Sequence, residues 1–100
     1  MLNDSTVSDN SGRGGGGILN WGTATLKHST VTGNGAQVAG GISNAGTLTL
    51  ADSTISGNGA DTGGGIYEYS SAPATLKDST VSGNTPQNCF PLGSVARCSG

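Results

Sequence analysis

A seven-residue segment occurs four times along the chain and constrains its fold more than any other feature. Its copies span residues 4–10, 28–34, 52–58 and 78–84, and they share a Ser-Thr-Val/Ile centre and a closing asparagine. The closing asparagines stand at positions 10, 34, 58 and 84, so the period is 24, 24 and then 26 residues. A period in this range is typical of solenoids, in which each repeat buries its apolar face only by stacking on a neighbour.

The rest of the repeat falls into columns when the asparagines are placed in register. A Gly-Gly pair precedes Ile18, Ile42 and Ile66, and further aliphatic positions alternate with Ser and Thr. The columns are Ile18, Ile42 and Ile66; Ala24, Leu48 and Ala74; Leu2, Leu26, Leu50 and Leu76; and Val7, Val31, Ile55 and Val81. This alternation has period 2, is rich in β-branched residues and shows no helical spacing, so it predicts short β-strands.

These strands are expected to wind into coils that stack as parallel strands about 4.8 Å apart, with aliphatic ladders inside and Ser/Thr ladders outside. The fold class predicted is all-β, a parallel β-helix of three to four coils. The predicted boundaries are a partial coil over residues 1–10, coils over 11–34, 35–58 and 59–84, and a C-terminal cap over 85–100. A two-residue insertion within residues 67–73 explains the longer period of the last coil.

The closing asparagines fall where each coil must turn. Asparagine tolerates left-handed backbone, and stacked side-chain amides can hydrogen-bond along a column. We therefore interpret Asn10, Asn34, Asn58 and Asn84 as a structural ladder rather than as ligands. The glycine-rich run over residues 12–17 could instead cradle a phosphate, but it lacks the Lys-Ser/Thr ending and the following helix of such loops.

Composition limits the class of protein. The chain has 100 residues, 19 of them glycine, and only 10% are charged. One hundred residues form at most one domain, and the periodic aliphatic residues argue against the disorder that so much glycine otherwise suggests. A net charge of −2 with four scattered basic residues gives no footprint for nucleic acid. No stretch approaches the roughly 18 apolar residues of a membrane span.

The two ends of the chain lead to different expectations. Residues 1–4 begin inside a repeat and lack the basic and apolar regions of a signal peptide. We therefore expect a piece of a longer protein, with an uncapped N-terminal edge that can self-associate. At the other end, Cys89 and Cys98 are predicted to form a disulfide that ties the cap, with Phe90 covering the last coil. The alternative is two free thiols of a cytosolic protein.

The Gly-Gly-Ile motif followed by Leu-x-Leu-x-x-Ser-Thr-Val/Ile-Ser-Gly-Asn resembles the right-handed parallel β-helix repeats of secreted bacterial proteins. It is similar to polymorphic outer-membrane-protein repeats, although Val or Ile stands where that family often has Phe. Residues 39–42 only approximate its Gly-Gly-Ala-Ile motif, and residues 84–89 resemble the endings of actinobacterial-type sequences. The resemblance implies a right-handed helix and an extracellular or cell-surface location. It implies no single activity, because this fold hosts lyases, hydrolases, adhesins and inert stalks.

The insertion supplies the first candidate site. Tyr67, Glu68 and Tyr69 break the repeat, and Trp21 lies in the corresponding stretch of an earlier coil. Insertions in solenoids often form the binding face, and tyrosine beside a carboxylate suits stacking on a sugar and hydrogen-bonding it. These four residues are our candidates for carbohydrate contact. The alternative is that the aromatic side chains merely cover a loop.

The second candidate is an acidic column formed by Asp4, His28, Asp52 and Asp78. Stacked neighbours about 4.8 Å apart could form a metal or acid/base site, but aspartate is also typical of the turn before a strand. We favour the turn. Asp61 lies in a glycine-rich run that lacks the spacing of calcium-binding repeats, so no metal or other cofactor is expected.

The third candidate is a column of outward threonines, at Thr6, Thr30, Thr54 and Thr80. A flat threonine array is similar to the ice-contacting face of antifreeze β-solenoids. Threonine is also the polar residue that best suits a solvated strand. A column of Lys27, Ala51 and Lys77 is expected to interrupt the array.

The sequence therefore predicts a non-catalytic extracellular or cell-surface module that is structural, adhesive or carbohydrate-contacting. Its expected partner is a polysaccharide or a cell-surface glycan. One alternative is the terminal part of a polysaccharide lyase or glycoside hydrolase whose catalytic coils lie upstream. The other is an ice-binding β-solenoid.

Overall fold

The structure, a computed structural model, describes residues 1–69, 74–90 and 98. The regular elements of this part are short β-strands of two to five residues. In chain order they are β1 (Leu2–Asn3), β2 (Thr6–Ser8), β3 (Ser11–Gly12), β4 (Ile18–Asn20), β5 (Thr23–Lys27), β6 (Thr30–Thr32), β7 (Gly35–Ala36), β8 (Ile42–Asn44), β9 (Thr47–Ala51), β10 (Thr54–Ser56), β11 (Ile66–Glu68), β12 (Thr75–Lys77), β13 (Thr80–Ser82) and β14 (Cys89–Phe90).

The strands stack in four parallel sheets. Three have four strands each, in the orders β1-β5-β9-β12, β13-β10-β6-β2 and β14-β11-β8-β4, and the fourth joins β3 to β7. Pairing joins residues one period apart, as in Leu2 with Leu26 and Leu26 with Leu50. The chain is therefore a parallel β-solenoid of about four turns, spaced about 24 residues apart, and its described part contains no helix. The predicted fold class is confirmed.

Aliphatic ladders fill the interior of the solenoid. Ile18, Ile42 and Ile66 are in register across the β4-β8-β11 pairings. The buried aliphatic side chains are Leu26, Val31, Ile42, Leu48, Leu50, Ile55, Ile66, Leu76 and Val81. Burying such a side chain contributes about 1.5–3 kcal/mol. The stacked coils thus form one continuous core in which each coil covers the apolar face of the next.

The isoleucine ladder ends in a cysteine. Cys89 pairs with Ile66 in parallel register and is buried. It forms a disulfide with Cys98 across a Cα–Cα distance of 6.3 Å, and Cys98 packs against the core. The predicted disulfide is therefore present, and it lies against the core near the C-terminus. The remainder of the predicted cap, at residues 91–97 and 99–100, lies outside the described residues, as do residues 70–73 of the insertion.

Two polar ladders hold the turns at the same spacing as the strands. Asn34 donates to Asn58 Oδ1 from its backbone N–H at 3.0 Å and from its side-chain amide at 2.9 Å. The same pair of bonds joins Asn10 to Asn34, Asn58 to Asn84, and Asn84 to Asn88 at the C-terminal end. In the second ladder, the N–H groups of Ser5, Ser29 and Ser53 each donate to the serine hydroxyl one coil later.

Left-handed backbone recurs at two positions of the coil. The acidic column has φ between 49° and 52°, at Asp4, His28, Asp52 and Asp78. The residue before each closing asparagine has φ between 65° and 67° in the later coils, at Gly33, Gly57 and Gly83. In the first repeat Asp9, with φ of 57°, stands at this position. Asp, Asn and His enter this region more readily than other non-glycine residues, so the composition of these columns follows from the turns.

Candidate functional site: an aromatic slot across three coils

On the outer face of the sheet that contains β4, β8 and β11, one column consists of side chains that differ in size. We call the coils that contain these three strands the first, second and third coils. Parallel register places Leu19 beside Ser43 and Ser43 beside Tyr67. Successive side chains point to opposite faces of a strand, so these three point outward while the preceding isoleucines point into the core. The column is large in the first coil, small in the second and large in the third.

A second column repeats this order two residues further along the chain. Backbone hydrogen bonds from Ala45 N to Asn20 O at 2.8 Å and from Tyr69 N to Asn44 O at 2.9 Å continue the parallel register. They align Trp21, Ala45 and Tyr69. Two rung spacings separate the outer members of this column, so their backbones lie roughly 10 Å apart. The small alanine between them leaves the space above it open.

Together the two columns enclose a cavity of about 390 Å³, which we call the aromatic slot. The described residues that line it are Gly14, Leu19, Trp21, Ser43, Ala45 and Tyr69. The two aromatic walls are open to solvent, since Trp21 is 77% exposed and Tyr69 is 55% exposed. Concave, mostly apolar sites with a few polar groups are typical of ligand binding, and large exposed apolar side chains that cluster mark interaction surfaces.

An aromatic row supports the wall that Tyr69 forms. The rings of Tyr67 and Tyr69 have centroids 4.4 Å apart with an interplanar angle of 32°. Tyr67 in turn contacts Phe90 of β14, with centroids 5.0 Å apart and an angle of 39°. Tilted pairs at these distances are favourable beyond the area that they bury. Tyr69 is thus held in place from behind, although half of its surface is exposed.

A buried polar ladder that sequence analysis missed runs beneath the slot. Asn20 Nδ2 donates to Asn44 Oδ1 at 2.8 Å, and Asn44 Nδ2 donates to the two carboxylate oxygens of Glu68 at 2.9 and 3.0 Å. Each of these residues directly precedes a slot position in the sequence, namely Trp21, Ala45 or Tyr69. The ladder therefore sets the spacing of the three coils at the slot. An ionised carboxylate only accepts hydrogen bonds, so Glu68 suits the end of a chain of amide donors.

Glu68 occupies a different place from the one that we expected. It is only 6% exposed, and its Oε2 accepts the N–H of Ala74 at 2.8 Å. The carboxylate therefore joins the two sides of the insertion from inside the solenoid. A buried carboxylate depends on such hydrogen bonds because it has lost its hydration. Glu68 lies under the slot, as a support for the adjacent Tyr69.

Ser43 forms the floor of the slot and differs from the other buried serines. It is 1% exposed, and its hydroxyl has no hydrogen-bond partner in the part of the chain that the structure describes. By contrast, the hydroxyls of Ser29 and Ser53 each donate to the carbonyl of the residue two positions earlier. Buried polar atoms are normally hydrogen-bonded. The floor of the slot therefore presents an unsatisfied donor and acceptor.

The structure groups the predicted carbohydrate-contact residues only in part. It brings Trp21 and Tyr69 to one cavity, places Tyr67 behind Tyr69, and buries Glu68 below them. Ser43 and the other small lining residues could not be recognised in the sequence, because a single small residue gives no signal of a site. The sequence contained one usable signal. The residue that follows the Gly-Gly-Ile motif changes in size from coil to coil, from Leu19 to Ser43 to Tyr67.

The acidic column forms no comparable site. His28 Nε2 lies 4.0 Å from Asp52 Oδ2, and both side chains are about half exposed. The described residues contain no group of three or more His, Cys, Asp or Glu that could hold a metal ion. The left-handed turns account for these residue types, and the single weak contact adds no further role.

No family model, curated protein or solved structure matches the chain. The resemblance to outer-membrane-protein-style repeats therefore rests on the sequence motifs alone. The structure supports the general architecture that this resemblance implies, a parallel β-solenoid of about four turns. Among the described residues there is no helix of the length and apolar character needed to span a bilayer.

Proposed function

We propose that this chain is a non-catalytic extracellular or cell-surface module that contacts carbohydrate through the aromatic slot. The observation that carries the proposal is the pair of exposed aromatic rings, Trp21 and Tyr69, that line one cavity with small residues between them. The rigid stack of coils supports the site, since strands and ladders hold each lining residue in register. Binding sites on such elements keep their geometry better than sites on free loops.

The chemistry of the slot suits a sugar. Aromatic faces pack against the C–H groups of a sugar ring, and both side chains have a polar end as well. The indole N–H of Trp21 donates a hydrogen bond, and the phenol of Tyr69 both donates and accepts. Such amphipathic rings match a ligand that has apolar faces and a rim of hydroxyl groups.

The extracellular part of the proposal is supported by the Cys89–Cys98 disulfide. Disulfides persist in oxidising compartments and are rare in the cytosol of most organisms. A disulfide that closes a loop this small contributes about 2–3 kcal/mol, which matters for a core of this size. An extracellular location would also bring the slot to the polysaccharides and surface glycans with which we expect it to interact.

The test is a pull-down of the oxidised chain on insoluble polysaccharides, followed by a glycan array. Retention that is lost in Trp21→Ala and in Tyr69→Ala would support the proposal. Thr75→Ala, on the outer face of β12 and away from the slot, is the control and should be retained like the parent. A parent chain that binds no glycan on either platform would contradict the proposal.

A second candidate function, ice binding, is favoured by the outer face of the sheet that contains β2, β6, β10 and β13. All of its outward residues carry hydroxyl groups, and they form two columns: Thr6, Thr30, Thr54 and Thr80, and Ser8, Thr32, Ser56 and Ser82. The interrupting column of Lys27, Ala51 and Lys77 lies on the neighbouring sheet. The hydroxyls therefore form a grid of roughly 4.8 by 6.6 Å that could order water.

Thermal hysteresis and ice-crystal shaping test this second candidate. The parent should show both, and Thr54→Tyr should lose both because a bulky ring interrupts the grid. Thr49→Tyr, on the outer face of β9, is the matched control. Absence of hysteresis in the parent would rule the candidate out.

A further inference from the structure

We infer that the aromatic slot accepts an uncharged sugar ring between Trp21 and Tyr69, with one hydroxyl of that ring hydrogen-bonded to Ser43. The inference rests on the proposed function and deepens it. It adds the charge class of the ligand and the protein atom that orients it. Three independent features of the slot lead to it: its lack of charge, the spacing of its walls, and the unsatisfied hydroxyl on its floor.

Among the residues that the structure describes, none that lines the slot has a charged side chain. Arg13 precedes the lining residue Gly14 in the chain but is not part of the lining, and Glu68 lies buried beneath the wall. An acidic sugar would therefore bring a carboxylate to a site whose described lining offers no cationic partner, next to the strand that contains the buried Glu68. Removing an unpaired charge from water is costly, and like charges repel. The slot favours a neutral hexose or an N-acetylated hexosamine over a uronate.

The spacing of the walls suits a puckered ring. Side chains next to a strand stand roughly perpendicular to the sheet, and the backbones of Trp21 and Tyr69 are about two rung spacings, roughly 10 Å, apart. Carbon contacts of about 3.5–4.0 Å on each side would place the walls roughly 7–8 Å apart around a flat ligand. The wider slot leaves room for the thickness of a pyranose chair.

The hydroxyl of Ser43 gives the slot its specific polar contact. It is buried on the floor, and no described protein atom satisfies it. A sugar hydroxyl both donates and accepts, so it complements a serine hydroxyl in either orientation. Apolar ligands would leave the Ser43 hydroxyl unsatisfied, whereas a sugar would convert it into a binding contact.

The experiment uses Trp21 as its own reporter, because it is the only tryptophan of the chain. Fluorescence titrations of the full oxidised chain compare cellohexaose and chitohexaose with hexagalacturonic acid, at equal concentrations. We expect at least one of the neutral oligosaccharides to shift or quench the emission, and the uronate to bind at least tenfold more weakly. Ser43→Ala should bind the neutral ligand roughly threefold to tenfold more weakly, as expected for the loss of one hydrogen bond.

The control is Ser56→Ala, the same change on the outer face of β10, which should bind like the parent. Removing an unsatisfied buried hydroxyl should leave the melting temperature of Ser43→Ala unchanged or higher, so its weaker binding would not reflect unfolding. Ser43→Cys keeps a side chain of similar size with a weaker donor and is expected to bind with intermediate affinity.

The outcomes separate this inference from the proposed function. Uronate binding equal to neutral binding, with both weakened by Tyr69→Ala, would overturn the charge class and leave carbohydrate contact standing. Parent-like binding by Ser43→Ala would overturn the role of the hydroxyl. If none of the sugars changes the emission but an apolar probe such as an alkyl detergent monomer does, both the inference and the proposed function fail.

Discussion

Two outer faces of the solenoid are built on the same kind of aliphatic interior and differ in how their side chains repeat. On the sheet of β2, β6, β10 and β13, the outward residues are hydroxyl-bearing in every coil. On the sheet of β4, β8 and β11, they change from large to small to large. A side chain that only completes a stacked coil can be the same in each coil, whereas a concave site requires unlike neighbours. The repeating columns therefore belong to the fold, and the columns that do not repeat line the candidate site.

The largest effect is expected in the repeating interior. Ile42 is fully buried in the middle of its ladder, and Ile42→Asn replaces a packed side chain with a polar one. The loss of packing and the burial of an amide should together cost about 4–6 kcal/mol, comparable with the whole stability of a small domain. Circular dichroism should show an unfolded chain. Thr49→Asn, an outward position of β9, should melt like the parent, and equal melting curves for the two variants would contradict the interior assignment.

The asparagine ladder should show a smaller effect that depends on position. Asn58→Ala removes the acceptor of the Asn34 amide groups and the donor to Val31 O and Asn84 Oδ1. Because these groups are buried, we expect a loss of about 3 kcal/mol by chemical denaturation. Asn10→Ala makes the same change at an exposed rung and should cost less than about 1 kcal/mol. Equal losses would mean that the ladder does not act through burial.

The ladder beneath the slot should link stability to binding. Glu68→Gln keeps the size of the side chain but replaces one acceptor oxygen with a donor, which faces Asn44 Nδ2 in either orientation and also the N–H of Ala74 in one of them. We expect a loss of about 1–3 kcal/mol together with weaker retention on polysaccharide, because the Tyr69 wall loses its support. Asp61→Asn, at an exposed position, is the matched control. A Glu68→Gln variant that melts and binds like this control would show that Glu68 does not position the wall.

The sequence predicted those parts of the fold that recur in each coil. The interior columns of Ile42, Leu50 and Ile55 can be recognised in the sequence because the residues one period away are also aliphatic. Cys89 joins the isoleucine ladder only 23 residues after Ile66, and its register depends on the short turn through Asn88, which has no counterpart in earlier coils. Periodicity contains no information about such an exception, so the register of β14 was not predictable.

The candidate site was predictable only in its aromatic members. Trp21 and Tyr69 are rare and large, so they stand out in a chain with 4% aromatic residues. Ser43 and Ala45 matter because they are small between large neighbours, which becomes meaningful only when register and face are known. We expected an exposed Glu68 because a carboxylate in an insertion usually faces solvent. In the structure its side chain is buried at the end of a column of asparagine side chains.

If the repeating columns hold the fold while the slot binds the ligand, Ala45→Leu should separate the two roles. The added side chain fills the slot between Trp21 and Tyr69 and leaves every ladder intact. We expect stability within about 0.5 kcal/mol of the parent, as for other surface substitutions, and loss of retention on the polysaccharide that binds the parent. A folded Ala45→Leu variant that is retained as strongly as the parent would show that the ligand does not occupy the slot.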